Sequence, residues 1–254
     1  MKIGYDDLGS GEPALLLMTG WCSSRARWGE VAALSAERRR VLSFEWRGHG
    51  DSDRATGDFG TEEMVQDALT VVEQAGVESF VPCAASHSGW VALELRRRQP
   101  ERVPKLVSTD WLVTEPSERY MEVIRQLQSP ATWQAARDTL FAIWAAGDES
   151  APIREVLDVM REQGDDMWMR SGRVIEASYA NAGSPFAAWS ALEPPPPVLH
   201  LYGQPPDPAY LAAQQEFAAS HSWFSVRRLE AHTHFAMVEC PREVADAIER
   251  FVSA

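Results

Sequence analysis

Cysteine, basic side chains and long apolar runs are all scarce in this chain of 254 residues. Its three cysteines, Cys22, Cys83 and Cys240, are too few and too scattered for a disulfide framework, and their odd number is typical of a reducing compartment. No stretch approaches the roughly 18 apolar residues of a membrane helix, and the first residues lack the apolar region of a signal peptide. We therefore expect a cytoplasmic protein with no membrane partner.

The charges of the chain are unbalanced. Lysine and arginine number 24 against 37 aspartates and glutamates, which gives a formal net charge of -13. Such a surface repels nucleic-acid phosphates and anionic lipids, so neither is an expected partner. The hydrophobic content of 45% is typical of one globular domain that has room for an inserted segment. The sequence is compatible with a monomer or a small homo-oligomer.

Strand and helix patterns alternate along most of the chain. Short apolar runs typical of buried strands occur at residues 14–19, 41–46, 80–85, 105–109 and 198–202, and residues 217–230 lead into a last predicted strand. Helical spacing of apolar residues follows several of them, at residues 61–76, 90–98 and 241–252. This alternation predicts an α/β fold with a mostly parallel central sheet flanked by helices and with ligands at the carboxyl ends of the strands.

The segment from residue 116 to residue 192 departs from this alternation. It is helical in pattern, rich in tryptophan, methionine and charge, and contains no convincing strand. Four prolines at positions 194–197 form a stiff connector back to the strand pattern. We therefore predict a core made of residues 1–115 and 193–254, and a helical cap made of residues 116–192.

A tight turn with a serine at its centre joins the strand at 80–85 to the helix after it. In an α/β-hydrolase nucleophile elbow, the residues two before and two after the nucleophile must be small, and Ala84 and Ser88 meet this demand around Ser86. A strand-to-helix turn capped by Ser86 or Ser88 would give a similar pattern. The position between strand and helix favours Ser86 as an active-site residue.

Two backbone positions are candidates for an oxyanion hole. In the hydrolase fold one N–H comes from the loop after an early strand, where Gly20 and Trp21 stand, and the other from the residue after the elbow serine, here His87. Trp21 could equally be a packing residue. The order of these motifs along the chain favours Trp21 and His87 as donors.

The chain order serine, acid, histidine restricts the base to His232 or His234. We favour His234, because it lies just beyond the last predicted strand and before the final helix. A metal pair made of His232 and His234 lacks further ligands at suitable spacing, so we expect no metal. His49 is expected to brace the glycine-rich turn in which it stands.

Two aspartates compete for the acidic role. Most members of the fold carry the acid after the strand that follows the cap, and Asp207 lies a few residues late for this position. The other position is the end of the strand after the elbow helix, where Asp110 stands. An aspartate there can hold the base in its productive tautomer. We assign the role to Asp110 and expect Asp207 to be a surface or helix-capping residue.

Several motifs together resemble the cofactor-independent 2,4-dioxygenases of 3-hydroxy-4(1H)-quinolones, a branch of the α/β-hydrolase superfamily. The resemblance covers nearly the whole chain and is carried by these motifs: Gly20-Trp21-Cys22, Trp46-Arg47-Gly48-His49-Gly50, Ser86-His87, Gly89-Trp90, Asp110-Trp111-Leu112, Arg170 to Glu176, Trp223-Phe224-Ser225 and Thr233-His234-Phe235. It implies a cap inserted after the sixth strand of the fold and a reaction without metal or flavin.

The resemblance also implies residue roles. His234, held by Asp110, would remove the 3-hydroxyl proton of the substrate, and the resulting anion would reduce dioxygen itself. Ser86 would offer a hydrogen bond rather than attack, and Trp144 in the cap would line the cavity. Ser23, where the quinaldine-cleaving member has a histidine, is assigned to substrate binding. The expected partners are a small aromatic substrate and dioxygen.

Two other functions fit the same motifs. A serine esterase or C–C-bond hydrolase would use Ser86 as its nucleophile. A non-catalytic receptor on the same fold would bind a ligand without turnover.

Overall fold

A seven-stranded sheet forms the centre of the molecule in the computed structural model, which describes residues 1–254. The spatial order is β1-β3-β2-β4-β5-β6-β7; β1 is antiparallel to β3 and all other neighbours are parallel. The strands are β1 (Tyr5–Leu8), β2 (Ala14–Met18), β3 (Val41–Phe44), β4 (Phe80–Ala85), β5 (Leu106–Thr109), β6 (Val198–Tyr202) and β7 (Phe224–Arg228).

The central strands are apolar along their whole length because helices cover both faces of the sheet. Every residue of β2 and β4 is buried, as expected for parallel strands between two helical layers. The helices that pack on the core are α1 (Gly29–Ala36), α2 (Thr61–Gln74), α3 (Gly89–Arg98), α9 (Pro208–Ser220), α10 (Ala236–Glu239) and α11 (Pro241–Ser253). None of the eleven helices of the chain combines the length and apolar character that crossing a membrane requires.

Five helices lie between β5 and β6 and are called the cap below. They are α4 (Glu118–Gln126), α5 (Trp133–Ala145), α6 (Ala151–Arg161), α7 (Asp165–Ala182) and α8 (Pro185–Ser190). Helices α4 and α7 pack closely at Gly172, where an added Cβ would lie 2.9 Å from the Ile124 carbonyl oxygen. Counted along this chain, the insertion follows the fifth strand, β5, rather than the sixth strand that the resemblance implies. The count differs because only one strand, β1, precedes β2 in this chain.

Edge strand β1 is absent from the sequence-based prediction. Its residues Tyr5 to Leu8 include two aspartates, and all four are exposed or half-buried. An edge strand of this kind carries no apolar alternation, so its sequence gives no strand signal.

Candidate active site

The turn after β4 has the backbone geometry of a nucleophile elbow. Ser86 adopts a φ of 55°, a left-handed conformation that is costly for a residue with a side chain and is concentrated at functional sites. The Ser88 hydroxyl donates to the Ala85 carbonyl at 2.8 Å and fixes the turn. Gly89 is required here, because an added Cβ would lie 2.2 Å from the Trp111 ring. The elbow therefore holds the Ser86 side chain at the carboxyl edge of the sheet.

The loop after β2 lies against this elbow. A Cβ added at Gly20 would be 3.5 Å from the Ala85 carbonyl oxygen and from the Ser86 Cβ. The loop is held by His49, whose Nε2 accepts the Cys22 N–H at 3.1 Å and whose Nδ1 lies 3.1 Å from the Arg47 carbonyl. These contacts agree with the expectation that His49 braces its turn.

His87, the residue after the elbow serine, is buried, and neither of its ring nitrogens has a hydrogen-bond partner. Burial lowers the pKa of this imidazole to about 3, since a charged ring is poorly solvated there. Its ring is therefore neutral at physiological pH.

His234 lies in the loop between β7 and α10 and is fixed from the cap. Its backbone N–H donates to the Trp144 carbonyl at 2.8 Å. The two rings stack, with centroids 5.2 Å apart and planes inclined by 16°. Burial, with a smaller contribution from the Arg27 charge, lowers the pKa of His234 to about 3. The imidazole is thus neutral at physiological pH and able to accept a proton.

Asp110 follows β5 with a φ of 46° and is 1% exposed. Its Oδ1 accepts the Gly203 N–H at 2.8 Å, and its Oδ2 accepts the Ala236 N–H at 3.2 Å. Burial raises the pKa of this carboxyl to about 6, although the backbone N–H groups and Arg27 oppose the rise. The hydrogen bonds of the carboxylate thus run to the backbone and not to the His234 ring. Asp110 and His234 nevertheless line the same cavity.

Two cavity residues were missed from the sequence. Gln204 donates through Nε2 to the carbonyls of Ile143 at 3.1 Å, Trp144 at 3.3 Å and His232 at 2.6 Å. It joins the end of α5 to the loop that carries His234. Arg27 donates through Nη2 to the His234 carbonyl at 2.7 Å. The hydrogen-bond partners of Gln204 and Arg27 are distant in the sequence, so no local sequence pattern predicts these contacts.

The cavity itself has a volume of about 170 Å³ and lies between the sheet edge and the cap. The core contributes its polar groups, and the cap contributes mostly apolar side chains. Of the residues assigned from the sequence, the following line it: Trp21, Ser86, His87, Asp110, Trp144 and His234. Apolar cap residues that line it include Ile124, Leu127, Leu140, Met160, Trp168 and Ile175.

Ser23 and Asp207 lie elsewhere. Ser23 is buried but lines a neighbouring cleft, because the chain turns at Cys22, which has a φ of 59°. The expected contact of Ser23 with the substrate cavity is therefore not present. Asp207 caps α9, where its side chain accepts the Ala209 N–H at 2.8 Å.

His232, the other candidate from this loop, faces carboxylates. Its Nδ1 lies 2.5 Å from Glu239 and its Nε2 lies 3.4 Å from Asp148, and two thirds of its side chain is exposed. No three His, Cys, Asp or Glu side chains converge as potential metal ligands.

We expect acid to destabilise the protein because three fully buried histidines are neutral. Burial lowers the pKa values of His49 and His200 to about 4 and that of His87 to about 3. As the pH falls below 6.5, the unfolded chain binds protons that the folded one does not, and stability present above this pH is lost. Between pH 7 and pH 5, each of these three histidines should lower the free energy of unfolding by about 2 kcal/mol. The lowered pKa of His234 adds to this loss, and the raised pKa of Asp110 offsets less than one such contribution.

Urea unfolding at the two pH values measures this loss. His200→Gln should make the stability less dependent on pH, since His200 lies in β6 outside the cavity. Equal free energies of unfolding at pH 7 and pH 5 in the wild type would contradict the expectation.

Comparison with known proteins gives first the class of the fold. Residues 15–247 match the model of the alpha/beta hydrolase family. Solved hydrolases of lower identity share the architecture, including an esterase from Thermogutta terrifontis with a TM-score of 0.79 and 18% identity. The fold and the serine elbow are thus those of an α/β hydrolase.

The full-length relatives are more specific. A 2-heptyl-3-hydroxy-4-quinolone dioxygenase of Rhodococcus erythropolis is 38% identical over 100% of this chain and 96% of its own length. The 1H-3-hydroxy-4-oxoquinoline 2,4-dioxygenase of Pseudomonas putida is 33% identical over 95% of this chain and 92% of its own. A solved structure described as 1H-3-hydroxy-4-oxoquinoline 2,4-dioxygenase has a TM-score of 0.94, 33% identity, and coverage of 98% of this chain and 96% of that chain.

The chain therefore belongs to the family of 3-hydroxy-4-quinolone 2,4-dioxygenases within the α/β hydrolases. By contrast, a 2-hydroxymuconate semialdehyde hydrolase of Pseudomonas putida matches only 42% of this chain. The comparisons favour the dioxygenase over the hydrolase and the receptor.

Proposed function

We propose that this enzyme cleaves the ring of a 2-alkyl-3-hydroxy-4(1H)-quinolone with dioxygen, without a metal or an organic cofactor, and forms carbon monoxide and an N-acylanthranilate. The observation that carries the proposal is a neutral histidine, His234, stacked on Trp144 in a cavity that also holds Asp110. The full-length similarity to quinolone dioxygenases supports the same substrate class.

The first step is removal of the substrate's 3-hydroxyl proton by His234. The imidazole is neutral before this step, and burial makes it a weak base, so the negative charge that develops on the adjacent quinolone stabilises the imidazolium as it forms. General-base catalysis of this kind contributes about 10²–10⁴-fold. Asp110 acts on the base by holding its loop, since the carboxylate accepts the N–H of Ala236, two residues after His234. The product of this step is an electron-rich quinolone anion.

The quinolone anion then reduces dioxygen directly by donating an electron to it. An unaided protein side chain cannot supply this electron. A bond forms between C2 and one oxygen atom, and the second oxygen closes onto the C4 carbonyl. The bonds C2–C3, C3–C4 and O–O then break, and C3 leaves as carbon monoxide with its own oxygen. One dioxygen atom remains in the new amide carbonyl and the other in the carboxylate, so the atoms balance.

The oxyanion positions hold the substrate during these steps. The backbone N–H groups of Trp21 and His87 are proposed to bind the C4 oxygen as negative charge develops on it. Ser86 offers its hydroxyl as a hydrogen-bond donor. The flat aromatic surfaces in this cavity suit a planar bicyclic guest, which stacking and burial would hold.

The 2-alkyl group is proposed to lie in the cap. The cap side of the cavity carries aliphatic and thioether side chains, among them Leu127, Leu140 and Met160. Burial of a methylene group in such surroundings is worth about 0.8 kcal/mol, so a long chain adds appreciable binding energy.

The three free cysteines support a reducing, cytoplasmic location for this reaction. We propose that the enzyme acts as a monomer or a small homo-oligomer.

Product analysis tests the proposal. With 2-methyl- and 2-heptyl-3-hydroxy-4-quinolone, one dioxygen consumed and one carbon monoxide released per substrate are expected. Substrate that persists in air with no carbon monoxide formed would refute the proposed activity.

The left-handed conformation of Ser86 favours one alternative, a serine hydrolase. Ser86→Ala separates the two functions. A hydrolase would lose all turnover and fluorophosphonate labelling, whereas we expect the dioxygenase to keep about 0.6–20% of kcat/KM, because one hydrogen bond of about 1–3 kcal/mol is removed. Ser178→Ala, which removes a hydroxyl that donates to the Val174 carbonyl outside the cavity, is the matched control for the fold. Complete loss of ring cleavage in Ser86→Ala would contradict the role given to this serine.

A further inference from the structure

Arg27 is a buried cation that forms no salt bridge. It lies in the 3-10 turn Arg25–Trp28 and is 6% exposed. Its Nη2 donates to the His234 carbonyl at 2.7 Å, its Nε donates to the Met237 sulfur at 3.0 Å, and its guanidinium lies 4.6 Å from the Phe235 ring centre. All three partners are neutral. Burial of a charge without an ionic partner is costly, so this arginine needs a physical explanation.

The charge of Arg27 faces the active cavity. Arg27 lines this cavity together with Asp110 and His234, and its other side lines the cleft that holds Ser23 and Glu155. The titratable groups that face it are thus Asp110 and His234 from the core, and the exposed Glu155 from α6. Asp110 raises the pKa of Arg27, but burial has the larger effect and lowers it to about 10. The side chain therefore stays charged, and its field acts on whatever occupies the cavity.

We propose that Arg27 is a positioning residue whose fixed charge favours a substrate anion beside a neutral His234, so that the proton taken from the substrate leaves the complex for solvent. This inference rests on the proposed function. A cation in this place stabilises the quinolone anion and the oxygen anion that follows it. The same cation disfavours the imidazolium form of His234. The species that meets dioxygen is then a quinolone anion next to an uncharged base.

The test is an anaerobic pH titration of the enzyme with bound 2-heptyl-3-hydroxy-4-quinolone, followed by the absorbance of the anion. Arg27→Gln removes the charge and keeps an N–H donor for the His234 carbonyl. We expect it to weaken ionisation of the bound substrate about tenfold, which is one pKa unit, as expected for loss of a nearby charge. Arg27→Lys keeps the charge and should stay within about threefold of the wild type.

Arg38→Gln is the matched control. Arg38 is exposed and pairs with Asp246 on α11. Arg38→Gln therefore removes the same charge far from the cavity and should not shift the pKa of the bound substrate. Arg27→Met replaces Arg27→Gln if the latter does not fold, with the same expected shift. A weakly buffered solution with a pH indicator should also show less proton release on substrate binding in the neutral variant.

Failure of the inference and failure of the proposed function give different results. If the wild type shows no quinolone anion, the proposed function fails, and Arg27 is tested by NMR titration of His234 in the free enzyme, where Arg27→Gln should raise the pKa of that imidazole. An Arg27→Gln variant with unchanged substrate ionisation and an unchanged His234 titration overturns the inference.

Discussion

Replacement of His234 by alanine is expected to lower kcat/KM for ring cleavage by about 10²–10⁴-fold. The imidazole is neutral and stacks on Trp144, whereas the other neutral imidazole of the cavity, His87, contacts Trp21 of the core. Without it, the substrate stays protonated and cannot donate an electron to dioxygen. Carbon monoxide release and dioxygen uptake under pseudo-first-order conditions measure the loss.

His221→Ala is the matched control for this variant. His221 follows α9 and contacts Phe217 and Trp223 rather than the cavity. It should retain turnover close to that of the wild type. A His234→Ala enzyme with more than about a tenth of the wild-type kcat/KM would show that another group takes the proton.

Asp110→Asn is expected to lower both stability and turnover. Each carboxylate oxygen of Asp110 accepts a backbone N–H, from Gly203 and from Ala236. In asparagine one of these oxygens becomes an NH₂ group, which would face an N–H donor in a buried site. We expect a loss of about 2–4 kcal/mol in the free energy of unfolding. Turnover should fall about 10²-fold, because the carboxylate that holds the backbone next to His234, at Ala236, is lost.

Asp207→Asn is the control that also separates the two acid candidates. Asp207 accepts one backbone N–H as the N-cap of α9, and asparagine is an equally good N-cap. Neither stability nor turnover should change measurably. Loss of turnover in Asp207→Asn, with Asp110→Asn unaffected, would reverse the assignment of the acid. Thermal unfolding and kcat/KM on both variants decide the point.

The elbow shows what the sequence can predict. Small residues flank Ser86, and Gly89 stands where any side chain would collide with Trp111. These requirements are local, so three or four letters between a strand and a helix are enough to predict the turn. The order of the later motifs then places His234 and Asp110, both of which line the cavity.

Arg27 and Gln204 show what the sequence leaves open. Arg27 donates to a carbonyl 207 residues further along the chain, and Gln204 donates to carbonyls about 60 residues earlier. The acceptors of these hydrogen bonds are backbone carbonyls, which every residue has. The sequence therefore does not mark the positions that accept them. Ser23 is a related case, because the positive φ of Cys22 decides which cavity it lines, and a single sequence does not display that angle.

Helix α9 was not predicted for a different reason. Pro208 to Ser220 is rich in alanine and glutamine, and its apolar residues do not follow a helical stripe. Only Tyr210 and Gln214 are buried there, and the Tyr210 hydroxyl donates to the Trp111 carbonyl at 2.8 Å. This helix is fixed by such tertiary contacts more than by amphipathic pattern.

The central claim is that His234 makes a quinolone anion before dioxygen reacts. Anaerobic stopped-flow mixing with 2-heptyl-3-hydroxy-4-quinolone, followed by admission of air, observes this order of events directly. The wild type should develop the absorbance of the anion without dioxygen and lose it with release of carbon monoxide in air, whereas His234→Ala should bind the quinolone and form the anion much more slowly. An equal rate of anion formation in both proteins, or turnover in air with no anion beforehand, would contradict the account.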